Sequence, residues 1–560
     1  MSSETIVDVL ESHAGRQPDA MAFTFLKDNT CIESITFGEL AAQARCIAAR
    51  LGERRASGSP VGILYSPGVD FIRNLLGCLY AGAIAVPLAA SNLRVAEQRI
   101  ARIVGAAGIN LVLAHSSLKT KLRAANFPPH VTVHTWNRED LQGGEIMETR
   151  EARATDVALV QYTSGSTADP RGVALTHSNL LANQEQIAHA FGHDTTTVVG
   201  SWLPLHHDMG LIGHVLHTIW LGVPCYHMSP MEFIRKPDLW LRMISDYGVT
   251  TSGGPSFAYD LCSHTIPDPV SDSIDLRRWT VAFSGAEVIR SSTLHRFADK
   301  FRTRGFRSAA FLPCYGLAEA TLFATGTRRN TFPLEMDIDL ASLETNGDIY
   351  PPKEDLAKRT VVSCGAPAVG LTLKIVDPAQ LVELDESHVG EIWLAGPNVA
   401  REYWGAGSHA LTDNHLPGDD QSYLRTGDLG FLREHTLYVV GRIKDTIIIR
   451  GRKHSPDDLE FVASSAHHAL AGMGGAAFGV AGDEGEELII VHEVRRDELS
   501  VLTPLELERS VVEAITKTHG ITPKTFVAVL PRSLPRTTSG KIQRNLVRQL
   551  YLQSSLRVAT

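Results

Sequence analysis

The sequence predicts an α/β protein of two or more domains, built on parallel sheets with helices packed on their faces. Its 560 residues exceed what one hydrophobic core organises, so the chain must divide. Short apolar runs alternate with helical periodicity over its first hundred residues, the rhythm of strand–helix–strand units. A later apolar run, Val157 to Gln161, leads straight into a glycine- and hydroxyl-rich stretch, placing that stretch at a strand's carboxyl end, where such sheets bind ligands.

The early elements follow in order. Thr36 followed by Glu39 makes a capping box, after which Phe37, Leu40, Ala44, Ile47, Ala48 and Leu51 fall on one helical face. Val61 to Tyr65 reads as a buried strand, Val69 to Ala81 as a helix and Ala83 to Pro87 as another strand. Composition is that of an ordinary globular protein, with 44% apolar and 21% charged residues. The net charge of -9 comes without any Lys/Arg-rich run, so no nucleic-acid partner is expected. Seven cysteines without a CxxC pair fit reduced thiols rather than a disulfide framework or zinc site. No signal-peptide pattern opens the chain and no apolar run reaches the roughly 18 residues of a span; the expectation is a cytoplasmic protein without stable membrane insertion.

Two glycine-rich loops at opposite ends together suggest ATP as an adenylyl donor. In the first, Tyr162 to Gly172, backbone N–H groups and the hydroxyls of Thr163, Ser164, Ser166 and Thr167 can close around a polyphosphate. It lacks the glycine–lysine–Ser/Thr ending of a P-loop, its nearest cation being Arg171, so a P-loop kinase or GTPase is disfavoured. A flexible turn is the bland alternative. The second, Thr537 to Arg544, holds Lys541 on a Ser-Gly turn, against which stands a solvated surface lysine.

Between them, Ser201 to Gly213 packs His206, His207 and Asp208 into an apolar stretch. Consecutive residues are a poor chelate, so a pocket wall is preferred to zinc. Cys314 to Glu319 couples Tyr315, Gly316 and Glu319: the ring could stack on a purine or pack in the core, and the carboxylate could hold magnesium. Ser284 to Glu287 supplies another tight turn. Asp428, after a glycine, could accept hydrogen bonds from both ribose hydroxyls. Gly441 to Asp445 then reads as a link between domains.

This ordered set, from about Thr36 to Arg544, resembles the adenylate-forming superfamily of acyl-CoA synthetases, luciferases and peptide-synthetase adenylation domains. Within it the chain looks most like the fatty acyl-AMP ligases, through Trp202–Gly210, Met228–Pro237, Gly254–Cys262 and Val362–Pro367, with a polar segment at 327–360 where those ligases carry an insertion that packs toward the smaller domain. The segment's composition also suits a surface loop. The resemblance implies a large N-terminal domain (1–443) of mixed and parallel sheets with flanking helices and a β-subdomain, a hinge at Lys444 and Asp445, and a small mobile α+β C-terminal domain (446–560) carrying the catalytic lysine loop.

It further implies ATP and Mg2+ as cofactors, and a medium- or long-chain fatty acid converted to acyl-adenylate and passed to an acyl carrier protein supplied in trans. Lys541 would bridge the carboxylate and α-phosphate, and Glu319 would hold magnesium. Thr163, Ser164, Gly165, Ser166 and Thr167 would grip the outer phosphates. Gly285, Ala286, Glu287, Tyr315 and Gly316 would hold adenine, and Asp428 and Arg442 the ribose. His207, counted as catalytic with Lys541 and Glu319, would border the carboxylate and acyl entrance beside Gly210, while Ser256, Phe257 and Tyr259 would help line the tunnel. Two departures stand out: Arg171 replaces the usual lysine, changing reach and donor geometry, and Ser256 stands where asparagine is usual. A fatty acyl-CoA synthetase is the runner-up, and a catalytically silent lipid- or nucleotide-binding protein is the reading from another class, opposed by the joint presence of Glu319, Asp428, Arg442 and Lys541.

Overall fold

The computed structural model describes residues 4–559 except 55, 90–92, 117–129, 137–151, 163–169, 355, 406–409, 483–484, 500–502 and 538–539; of 93–98 and 504 only the backbone is described. Two large sheets form its body. In the nine-stranded sheet, Phe311–Gly316, Val281–Ser284, Thr251–Gly254, Val199–Ser201, Cys225–Met228 and Met21–Lys27 run parallel side by side, with antiparallel strands closing both edges. The seven-stranded sheet centres on Pro60–Leu64 and Ile84–Pro87, which pair parallel with each other and with their outer neighbours Leu111–Ala114 and Val157–Tyr162.

The expected early elements form. Helix Phe37–Gly52 opens with the reciprocal Thr36/Glu39 capping box and buries the anticipated face completely. Helix Val69–Tyr80 crosses it so closely that a Cβ on Gly77 would stand 2.3 Å from Ile47 Cγ2. After Val157–Tyr162 the chain returns as the antiparallel strand Gly172–Thr176, so the first glycine-rich stretch lies in sequence between two paired strands.

A four-stranded antiparallel sheet, Thr372–Val376, Gly390–Ala395, Leu424–Arg433 and Thr436–Arg442, forms the expected β-subdomain. In the 327–360 segment, strand Glu335–Asp339 pairs with Lys358–Val362, which runs on past its end, and helix Leu340–Thr345 lies between them. Beyond the 3-10 turn Ile443–Asp445, a separate apolar core gathers Ile447, Leu459, Leu488, Val511, Ile515 and Phe526. This smaller unit packs helices Pro456–Ser465, Pro504–His519 and Arg544–Leu552 with the sheet Gly475–Gly482, Gly485–Glu493 and Thr525–Val529. All seven cysteines are free thiols, and no helix among the described residues is long and apolar enough to cross a membrane.

Candidate active site

Neighbouring parallel strands of the nine-stranded sheet deliver the central motifs to one edge. Gly254 is in register with Ser284, and Ser284 with Pro313, so the turns Ser256–Phe257, Ser284–Glu287 and Cys314–Gly316 emerge side by side at the strands' carboxyl ends, the binding edge of such a sheet. Val199–Ser201, paired with the Thr251 strand, leads from the same edge into His206–Gly210. Ser256 Oγ lies 3.3 Å from Ser284 Oγ. The Phe257 N–H donates to Glu287 Oε1 at 3.0 Å. Ala286 takes φ +72°, a left-handed conformation unusual for a residue with a side chain and of the kind that gathers at binding turns. Gly316 closes against the Leu322 carbonyl.

Tyr315, Asp428 and Arg442 form one polar chain. The Tyr315 hydroxyl donates to Asp428 Oδ2 at 2.8 Å, and Arg442 Nε donates to Oδ1 at 2.5 Å. Tyr315 and Asp428 are buried, while the Arg442 side chain stays more than half exposed. Burial and the neighbouring carboxylate hold the tyrosine hydroxyl well above its ordinary range, and the Asp428 carboxylate raises the Arg442 guanidinium. Tyr315 is thus tightly packed and tied through its hydroxyl to the carboxylate expected to hold ribose.

Glu319 sits on the 3-10 turn Ala318–Ala320. Tyr403 donates its hydroxyl to Glu319 Oε1 at 3.0 Å, and the Arg171 guanidinium lies 5.5 Å from the Tyr403 ring centre. Burial pushes the Glu319 carboxyl up. Thr321, next to this turn, takes φ +67° and is held there by a 2.6 Å hydrogen bond to the Asn398 carbonyl; the Asn398 side chain in turn donates to the carbonyls of Ala320 and Phe323. Tyr403, Thr321 and Asn398 were missed from the sequence. Only the Gly-Pro before Asn398 hinted at a tight turn there.

His207 Nδ1 contacts Asp208 Oδ1 at 2.5 Å. Burial alone would raise the Asp208 carboxyl, but His207 and the Met209 N–H outweigh it and hold it below the usual range. Burial pushes His206 down to about 3. Gly210 is dictated by close approach, since a Cβ would stand 2.2 Å from the Pro204 carbonyl oxygen. Tyr259, expected along the acyl tunnel, is instead a core residue. It has no exposed surface, donates to the Phe283 carbonyl at 2.7 Å, and lies among Trp240, Trp279, Phe297 and Phe311. The phosphate-grip residues Thr163, Ser164, Gly165, Ser166 and Thr167 lie outside the described residues.

Lys541 comes from the small unit and reaches this edge. Gly540 takes φ +92°, and a Cβ there would stand 2.8 Å from the Phe257 ring, so only glycine permits both the turn and the contact. The loop is tied by the Thr537 N–H to the Lys541 carbonyl at 2.7 Å and the Lys541 N–H to Thr537 Oγ1 at 3.2 Å. Burial lowers the Lys541 ammonium; Arg442 adds to this, while the carboxylates of Glu287, Asp208 and Asp428 pull back. Lys444 and Asp445 lie in the turn joining the two units, with Asp445 Oδ2 3.6 Å from Arg544 Nη1.

A second cluster joins the 327–360 segment to the small unit. Glu344 Oε1 accepts from His454 Nδ1 at 2.9 Å and His519 Nδ1 at 2.7 Å, while Oε2 pairs with Arg452 at 2.5 Å. The three ligand types could in principle chelate an ion. Arg452 already neutralises the carboxylate, however, and both imidazole Nε2 atoms are buried without a partner, whereas a metal-bound imidazole hands on its other N–H. The cluster is an interdomain ion-pair knot.

The AMP-binding enzyme family matches residues 10–404, and the AMP domain of the Disco-interacting protein 2-like family matches residues 444–560. The chain is 33% identical to the medium-chain-fatty-acid acyl-carrier-protein ligase JamA of Moorena producens, over 99% of this chain and 96% of that one. It is 33% identical to the corresponding ligase TtuA of Teredinibacter turnerae, over 99% and 94%. The crystal structure of a fatty acid AMP ligase from Legionella pneumophila superposes with a TM-score of 0.76 at 35% identity, covering 100% of this chain and 98% of that one. With its strand-edge motifs and small-domain lysine in place, the chain belongs to the family of AMP-binding enzymes.

Proposed function

We propose that the protein activates a medium- or long-chain fatty acid with ATP and passes the acyl group to the phosphopantetheine thiol of an acyl carrier protein supplied in trans. The carrying observation is convergence: Lys541, from the small domain, is buried within reach of the charges of Glu287, Asp208 and the Asp428–Arg442 pair at the carboxyl edge of the large sheet. In the first step a carboxylate oxygen bonds to the α-phosphorus as the bond to the bridging oxygen breaks, releasing pyrophosphate. Negative charge builds on the α-phosphoryl oxygens, and Lys541 is placed to meet it. The acyl-adenylate is itself the activated species, so no protein nucleophile is needed.

In this reading Tyr315 and the Gly285–Glu287 turn border adenine, and Asp428 with Arg442 holds the ribose hydroxyls. The 163–167 loop takes the outer phosphates, and His207 and Phe257 border the acyl carboxylate. Glu319 offers a single hard oxygen donor in a buried setting, which suits Mg2+ shared with substrate phosphates; the ion would neutralise the departing pyrophosphate. The hinge at Lys444 and Asp445 would turn the small domain, from residue 446 onward, between adenylation and transfer. The free thiols agree with a cytoplasmic setting.

The test is mass spectrometry of products with ATP, magnesium and a panel of fatty acids, offering CoA and a holo acyl carrier protein separately. Acyl-AMP that persists with CoA and passes to the carrier supports the proposal. Acyl-CoA would make the protein a synthetase, and the lack of any adenylate would point to another substrate class or a silent binder.

A further inference from the structure

Arg290 lies three residues beyond Glu287, at the N-terminus of helix Ser291–Phe301 in the large domain. Its side chain points across to the small domain. Arg290 Nη2 donates to the Asp457 carbonyl at 2.7 Å, and its guanidinium lies 4.6 Å from the centre of the Phe461 ring. Residues 457 and 461 are four apart on helix Pro456–Ser465 and so share one face. Arg290 therefore grips a single helical face by a charge-assisted hydrogen bond and a cation–π contact.

The same helix holds the end of the lysine loop from within the small domain. Arg544, three residues after Lys541, pairs with Asp457 Oδ1 at 2.5 Å and with Glu460 at 2.5 and 2.9 Å. Arg359 pairs with Asp458 of this helix at 3.0 Å as a second anchor from the large domain. Arg290, three residues along the chain from Glu287, and Arg544, three residues from Lys541, are thus joined through contacts on one helix.

We infer that Arg290 is a positioning residue: it holds the small-domain helix where Lys541 enters the large-domain site, and so sets the rate of adenylation without touching substrate. This rests on the adenylation reading above. Rotating the small domain away must break the Asp457 and Phe461 contacts, whereas Arg544 travels with the helix.

The experiment compares wild type, Arg290→Ala, Arg290→Lys and Phe461→Leu. It measures acyl-adenylate formation from ATP and decanoic acid, KM for ATP, thermal melting, and trypsin cleavage at the linker, which carries Arg442 and Lys444. Arg290→Ala should lower kcat for adenylate formation about tenfold, leave KM for ATP within about twofold and speed linker cleavage. Phe461→Leu should show a smaller loss with the same pattern, and Arg290→Lys should recover part of it. Unchanged kcat and cleavage, a loss confined to KM, or a loss that follows melting temperature equally in all variants would overturn the inference. A wild type that makes no adenylate would instead sink the functional reading, leaving linker cleavage to judge the contact on its own.

Discussion

At the scale of single residues, charge placement decides the chemistry. In the proposed mechanism Lys541→Ala removes the cation placed to meet charge developing at the α-phosphate. Adenylate formation should fall on the order of 10² to 10³, as for loss of one preorganised donor, while ATP binding, measured by calorimetry, is largely retained; full activity would remove Lys541 from the mechanism. Because burial lowers the Lys541 ammonium, its charge is lost as pH rises through a value below the ordinary lysine pKa. The alkaline limb of kcat/KM for ATP in adenylation, which follows the free enzyme, should therefore begin below that pKa. Asp428→Ala takes away the common acceptor of Tyr315 and Arg442, and weaker nucleotide binding by about 1 to 3 kcal/mol is expected; an unchanged ATP Kd would move the ribose site elsewhere. Asp428 and Lys541 were legible in the sequence because each follows a glycine in a polar motif. Tyr403, which reaches Glu319 from 84 residues away, had no local signature, and Tyr259 misled because core aromatics and tunnel aromatics look alike in sequence.

At the scale of elements, caps and apolar faces were readable and inter-element knots were not. Helix Phe37–Gly52 could be read from Thr36, Glu39 and its buried stripe, since all its determinants lie within one turn or one face. The π-helical run Leu211–Leu216 has no such pattern, its register being set by packing. The 327–360 segment, which the resemblance placed against the smaller domain, suits a polar surface loop by composition alone, because Glu344 finds Arg452, His454 and His519 only in the folded chain. Glu344→Ala would leave two buried imidazole N–H groups without an acceptor and Arg452 without its carboxylate. Breaking such a buried pair costs about 3 to 5 kcal/mol, discounted here because the Arg452 side chain is 31% exposed. All seven tryptophans precede residue 443, so fluorescence follows the large domain alone. In urea, the circular-dichroism transition of the variant should shift to lower denaturant while the tryptophan transition scarcely moves; coincident, unshifted transitions would deny the knot a role in docking.

For the whole molecule, the need for more than one core followed from length, and the short charged link before Thr446 is where the sequence places a boundary; how the small unit docks had to come from the structure, through Gly540 on Phe257 and Arg290 on Asp457. Docking and core formation together enclose a set of histidines far from solvent. His177, His214 and His227 in the large domain and His492 in the small one are each pushed down by burial to about 4, from 6.5 when unfolded. Between pH 6.5 and about 4 the unfolded chain binds more protons at these sites than the folded one, so stability falls as pH falls through that window. By linkage each site costs about 1 kcal/mol at pH 5.5 relative to pH 7.5. Glu287, Glu319, Asp458 and Glu460, whose carboxyls burial raises, act in the opposite sense, taking up protons when folded. The apparent melting temperature should therefore drop steadily from pH 7.5 to 5.5 at constant ionic strength, and His214→Gln or His227→Gln should flatten that slope even where it lowers the melting temperature at pH 7.5. A melting temperature that does not change across this range would mean that these histidines are charged, or hydrated, in the folded protein.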